Sequence, residues 1–121
     1  MNFTRPVGIH IRRTDNTRCI NDSPDHLFES KIRKIINRNP KQTFFLCTDD
    51  DTVRRKFIEL FGERLFSRTI RSRYSIGGIE DGVIDMFLLS KCRIIYGCQS
   101  GFAKVASAIG GIDLNILKTN P

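Results

Sequence analysis

Hydrophobic positions along the chain alternate between two rhythms. Val7-Gly8-Ile9-His10-Ile11 is a short apolar run of strand type. Ser23-Pro24 then signals a helix start, with Ser as cap and Pro at the first helical position. Leu27, Phe28, Ile32, Ile35 and Ile36 recur at helical spacing until Asn39-Pro40 breaks the pattern. Thr43-Phe44-Phe45-Leu46-Cys47 is continuously apolar, as in a strand covered on both faces. Asp49-Asp50-Asp51-Thr52 opens a second helix, whose acidic first turn suits the helix dipole; Val53, Phe57, Ile58, Leu60 and Phe61 form its expected buried stripe and Gly62 its stop.

The second half repeats the alternation. Leu65 to Ile70 predicts a third strand, and the polar, basic stretch from Arg71 to Gly78 a loop. A strongly apolar helix is expected from Ile79 to Ser90, a strand at Ile94-Ile95-Tyr96, a turn from Gly97 to Gly101, and a helix ending at Gly110-Gly111. Leu114 to Leu117 is the last strand. Strand–helix alternation with right-handed crossovers implies an α/β, Rossmann-like, doubly wound parallel sheet of about five strands, with helices on both faces. Residues 1–121 are read as a single domain. Ligands in such folds bind beyond the carboxyl ends of the strands.

Composition narrows the picture. The 121 residues are 40% hydrophobic and 27% charged, which is a globular composition rather than a disordered one. Lys and Arg number 20 against 13 Asp and Glu, a net charge of +7, which favours a phosphorylated or polyanionic partner. No apolar run is long enough to span a bilayer, and no signal-peptide core follows Met1. Cys19, Cys47, Cys92 and Cys98 form no C-x-x-C; with only His10 and His26 besides, no metal is expected. Reduced cysteines in a cytoplasmic protein are the simplest expectation, with Cys47 and Cys92 in the core.

Four constellations offer chemistry. His10-Ile11-Arg12-Arg13-Thr14-Asp15 ends the first strand, and its guanidinium forks match a pyrophosphate, with Asp15 placed to orient one of them. A basic strand end with local ion pairs accounts for it equally well. Thr48-Asp49-Asp50 ends the second strand; capping of the next helix is the first reading for at least one of these acids, and ligand binding or steadying of a loop the second. Asp85 lies among Val83, Ile84, Met86, Phe87, Leu88 and Leu89, where a carboxylate needs a partner. That partner is the paired N–H donors of a guanine base, the helix dipole, or a core Arg. Gly97-Cys98-Gln99-Ser100-Gly101-Phe102 offers a small-residue turn and helix-end N–H groups to a phosphate, or simply a Ser cap.

Together these segments resemble the GDP-fucose-dependent fucosyltransferases. His10-Ile11-Arg12-Arg13-Thr14-Asp15 resembles the family's H-x-R-R-x-D motif, nearest in likeness to the α-1,6 enzymes and more distant from the α-1,2 and protein O-fucosyltransferases. Phe44 to Asp50, Gly82 to Ser90, and Gln99-Ser100-Gly101-Phe102 with Val105-Ala106 resemble three further family segments in the same order. The resemblance implies the nucleotide-sugar-binding, Rossmann-like half of a two-domain GT-B enzyme, with the acceptor-side domain absent. It implies GDP-fucose as donor, inverting transfer of L-fucose to a glycan acceptor, and no metal. By the same resemblance, His10 and Arg12 contact the nucleotide diphosphate and Arg13 supports them, so that Arg12 and Arg13 carry the catalytic role. Asp49 and Asp50 belong to the donor site, Asp85 binds guanine, and Ser100 or its neighbour Gln99 bonds a phosphate or the sugar.

The sequence departs from the α-1,6 pattern where relatives carry Lys and Glu: Asn16 and Ile20 stand there. Asp22 or Asp25 is then the available acceptor base. A chain lacking the acceptor side would bind the donor and transfer poorly unless another domain or a separate chain completes it. Two other readings stand beside this one: a basic module binding nucleic acid, for which stacking aromatics are few and Arg71-Ser72-Arg73-Tyr74 is the best segment, and a folded remnant without activity.

Overall fold

The computed structural model describes residues 5–14, 16–69 and 75–119. Its element order is β1 (Val7–Ile11), α1 (Thr17–Asp22), α2 (Asp25–Arg38), β2 (Phe44–Thr48), α3 (Asp51–Phe61), a 3-10 turn (Gly62–Arg64), β3 (Leu65–Ser67), α4 (Ile76–Ser90), β4 (Ile95–Gly97), α5 (Gly101–Gly110) and β5 (Leu114–Ile116). The strands form one parallel sheet in the order β3-β2-β1-β4-β5. The order reverses between β1 and β4, so the chain winds outward in both directions from a central switch point.

Alternation along the strands builds two cores. Ile9, Ile11, Phe44 and Leu46 meet Phe28 and Ile32 of α2 and Val53, Phe57 and Phe61 of α3. Phe45, Cys47 and Ile95 meet Leu89 of α4 and Ala106 of α5 on the opposite face. The α/β doubly wound expectation therefore holds. Two glycines let the second helical layer close: a Cβ on Gly8 would lie 2.7 Å from Leu89 Cδ1, and one on Gly110 would lie 2.0 Å from the Ser90 carbonyl oxygen. Buried Arg54 binds β2, α3 and β3 together, donating to the Thr48 carbonyl at 2.9 Å, Ser67 Oγ at 3.2 Å and Asp51 Oδ1 at 2.7 Å.

Several local expectations need correction. Pro24, not Ser23, occupies the cap position of α2; the buried Ser23 hydroxyl donates instead to the Leu117 carbonyl. Ile58 and Leu60 are exposed, because the α3 stripe turns through Val53, Arg54, Phe57 and Phe61. Ile76 to Gly78 is helix rather than loop, since the Ser75 hydroxyl caps the Gly78 N–H at 2.9 Å. Cys19 and Cys98 form a disulfide across 79 residues, so they are not reduced. With that falls the cysteine argument for a cytoplasmic protein. Cys47 and Cys92 are buried free thiols, as expected. Asp15, Ile70 and the Arg71-Ser72-Arg73-Tyr74 segment lie outside the described residues. Among the described residues, no helix is long and apolar enough to cross a membrane, and no group of His, Cys, Asp and Glu could hold a metal ion.

Candidate functional site

A cleft opens at the carboxyl ends of β1 and β2, beside the point where the strand order reverses. It is lined by His10, Arg12, Cys47, Thr48, Asp49, Gly78, Gly82 and Phe102. Strands contribute the polar groups, α4 contributes two glycines one turn apart, and α5 contributes an aromatic ring. A Cβ on Gly82 would meet nothing within 4 Å, so the α4 wall of the cleft is open.

His10 shares with Gly8 the sheet face that carries α4 and α5. It is buried, and its ring stacks on Phe102 with centroids 5.0 Å apart and planes 11° from parallel. Its Nδ1 lies 3.4 Å from Ser100 Oγ. Burial lowers its pKa from 6.5 to about 4; the Asp49 charge opposes this and the Arg12 charge adds to it. The imidazole is therefore neutral at pH 7, able to exchange a hydrogen bond without adding charge.

Arg12 and Arg13 leave β1 in different directions. Arg12 flanks the cleft, with Nε 3.9 Å from Asp49 Oδ2. Arg13 turns inward. Its guanidinium donates to Asp25 Oδ1 at 2.6 and 3.2 Å and to the carbonyls of Arg12, Cys19 and Ser23 at 3.1, 3.2 and 2.7 Å. The two arginines thus differ in place: Arg12 faces the cleft, and Arg13 fixes the loop that carries it. Asp49 completes that loop by accepting from the Arg13 N–H at 2.8 Å, the Thr14 N–H at 3.2 Å and the Thr14 hydroxyl at 2.6 Å. Burial pushes the Asp49 carboxyl up, but these hydrogen bonds and the Arg12 charge outweigh it and hold the pKa below the usual carboxylate value. Asp50 caps α3, accepting from the Val53 N–H at 3.1 Å. Asp25 carries two cations, Arg13 and Lys56, each at about the same short range (2.6 and 2.7 Å). Partial burial raises its pKa, but the Lys56 and Arg13 hydrogen bonds prevail and lower it, so it is not set up as the acceptor base. Asp22 lies on the surface at the end of α1.

Asp85 lies one helical turn beyond Gly82 and directly behind Cys47, beneath the cleft wall rather than on it. It is fully buried and takes a 2.7 Å hydrogen bond from Arg68 Nη1 and a 3.7 Å contact from the Cys47 thiol. Burial raises its pKa, although the Arg68 bond and charge offset part of the effect. The core-Arg alternative is thus present, with Arg68 also 3.4 Å from Asp81 Oδ1. Arg12 lines the cleft directly, whereas Asp85 touches it through the Cys47 thiol. Ser100 caps α5, its hydroxyl accepting from the Ala103 N–H at 3.3 Å while reaching His10. Gln99 precedes it, and its carbonyl accepts from Asn16 Nδ2 at 3.4 Å. The α5 N-terminus therefore points its N–H groups toward the same end of the sheet, where an anion is favoured.

Four residues of this arrangement were not assigned a role from the sequence. The paired glycines Gly78 and Gly82 carried a signal, small residues four apart on one helix, that the loop assignment of Arg71 to Gly78 hid. The stacking role of Phe102 and the Arg68 partner of Asp85 depend on contacts remote in sequence and left no local trace.

No protein-family profile matches the chain, and no curated protein sequence does. Solved structures do. The fold is similar to NodZ α-1,6-fucosyltransferase co-crystallized with GDP, at 26% identity and a TM-score of 0.60 over 85% of this chain and 34% of that one. The same enzyme soaked with GDP-fucose aligns at 27% identity and a TM-score of 0.59, over 86% and 35%. A selenomethionine structure of fucosyltransferase NodZ from Bradyrhizobium aligns at 27% identity and a TM-score of 0.62, over 85% and 35%. The chain therefore spans about a third of the length of these structures and has a fucosyltransferase-like fold.

Proposed function

We propose that the chain is the nucleotide-sugar-binding part of a fucosyltransferase-like glycosyltransferase and that the cleft holds GDP-fucose. One observation carries the reading: Arg12, neutral His10 and the Ser100-capped N-terminus of α5 converge at the switch point of the sheet. Likeness to structures solved with GDP and GDP-fucose supports it. Arg12 and the α5 N–H groups take the diphosphate; Ser100 or Gln99 adds a donor to a phosphate or the sugar. Asp85 accepts the paired N–H groups of guanine once Arg68 gives way. Asp49 and Arg13 position Arg12, and Asp50 secures the start of α3.

The reaction is inverting transfer of L-fucose to a glycan hydroxyl. Charge grows on the departing diphosphate, and a guanidinium with helix-end N–H groups stabilises it without a metal ion. Transfer further requires an acceptor surface facing this cleft, supplied by another domain or a separate chain. Calorimetric titration tests the reading. GDP and GDP-fucose should bind in preference to ADP, and Arg12→Ala and Asp85→Asn should each weaken GDP at least tenfold in folded protein. Equal affinity for ADP, or salt-sensitive binding of oligonucleotides with no nucleotide preference, overturns it.

A further inference from the structure

Helix α4 carries more apolar residues than one buried face requires, with Glu80, Asp81 and Asp85 as its charged residues. Among the described residues, packing covers its inner face. Of its three acidic residues, Asp81 and Asp85 face inward with Gly78 and Leu89 and Glu80 is exposed; on the outer side Ile76, Ile79, Val83 and Phe87 recur at spacings of three and four. Val105 and Ile109 extend this surface onto the outer side of the neighbouring α5, which packs against α4 where Gly110 meets Ser90. These six side chains are 46% to 78% exposed. At roughly 150–200 Å² for a fully exposed side chain of this size they present about 600 Å² of apolar surface, at the top of the range for the largest patch on a monomer.

We propose that this face of α4 and α5 pairs with the same face of a second copy of the chain. A standard interface buries about 800 Å² per partner and the apolar share in homodimers is about two-thirds, so the patch supplies the whole apolar core of such an interface. Exposed Glu80 flanks the row and the Lys91 ammonium lies 4.9 Å from the Phe87 ring centroid, so the polar rim of the patch carries both signs of charge. The row's three- and four-residue ridges are self-complementary when a two-fold axis lays one helix pair on another. Gly78 and Gly82 lie on a different side of α4 from this row, so pairing leaves the cleft open in both copies. Each copy carries +7, and the two repel; salt screens that repulsion and should strengthen the pair.

Sedimentation velocity between about 1 and 100 µM measures this directly. The wild-type chain should pass from monomer to dimer in that range, with tighter association at 0.5 M than at 0.05 M salt, the reverse of a charge-driven contact. Val83→Glu with Phe87→Glu should weaken the dimer at least 100-fold, while Ile58→Glu with Leu60→Glu, on the opposite helical layer, should leave it unchanged. A wild-type monomer at every concentration, or a dimer kept by the Val83 and Phe87 variant, overturns the proposal. Dilution of the isotope-labelled wild-type protein gives a readout independent of variant folding: amide shifts should concentrate in α4 and α5, and shifts confined to other elements overturn it.

Discussion

Acidification from pH 7 to pH 5 isolates the buried imidazole of His10. Burial lowers its pKa from 6.5 to about 4, so in this range the unfolded chain takes up a proton that the folded chain refuses. Stability is full above pH 6.5 and falls as pH drops toward 4, because protons favour the state that binds them. At 1.36 kcal/mol for each pKa unit, the loss is about 2 kcal/mol by pH 5 and about 3 kcal/mol by pH 4. Other acids act elsewhere. Asp25 and Asp49, with lowered pKa values, withdraw their contributions only below the ordinary carboxylate pKa. Asp85, with a raised pKa, acts in the opposite direction, since protonation relieves its burial. Urea denaturation at pH 7, 6 and 5 should therefore show the decline in the wild type. It should be largely abolished in His10→Phe, which keeps a ring against Phe102. The proton resonance of the His10 ring should titrate near 4. A midpoint at or above 6, or an equal decline in the variant, would show that burial of His10 does not set this pH dependence.

The two adjacent arginines should separate cleanly. Arg12→Ala should leave thermal stability nearly unchanged and weaken GDP tenfold or more by calorimetry. Arg13→Ala strands the Cys19 and Ser23 carbonyls and should cost about 2–4 kcal/mol in urea denaturation. Oxidised protein unfolded without reductant should show two reactive thiols rather than four, and reduction should remove up to about 4 kcal/mol, given the 79-residue separation bridged by Cys19 and Cys98. Gly8→Ala places a methyl against Leu89 and Cys92 and should cost about 1–3 kcal/mol, seen as a lower urea midpoint at unchanged slope.

What the sequence revealed was what repeats locally. The runs Val7–Ile11 and Phe44–Thr48 have no side free for water, so composition alone marks them as central strands. The Asp50 cap and the Gly111 stop are written in single residues. What it concealed depends on partners far along the chain. Ile76-Gly77-Gly78 has poor intrinsic helix propensity and becomes helix through the Ser75 cap and packing on the sheet. Ser23 looks like a cap until Leu117 takes its hydroxyl. The motif resemblance already gives Arg12 and Arg13 different roles; what the sequence does not show is their partners, Asp25 for the inward guanidinium and Asp49 for the one at the cleft. Cys19 and Cys98 have no telling spacing, yet their Cα atoms stand 5.2 Å apart once β4 lies beside β1.

A crystal structure of the chain soaked with GDP bears most directly on the central assignment. Diphosphate density is expected within hydrogen-bond reach of the Arg12 guanidinium and the first N–H groups of α5, with the base directed along α4 past Gly78 and Gly82. Density for the nucleotide at any other surface, with this cleft holding only solvent, would contradict the assignment.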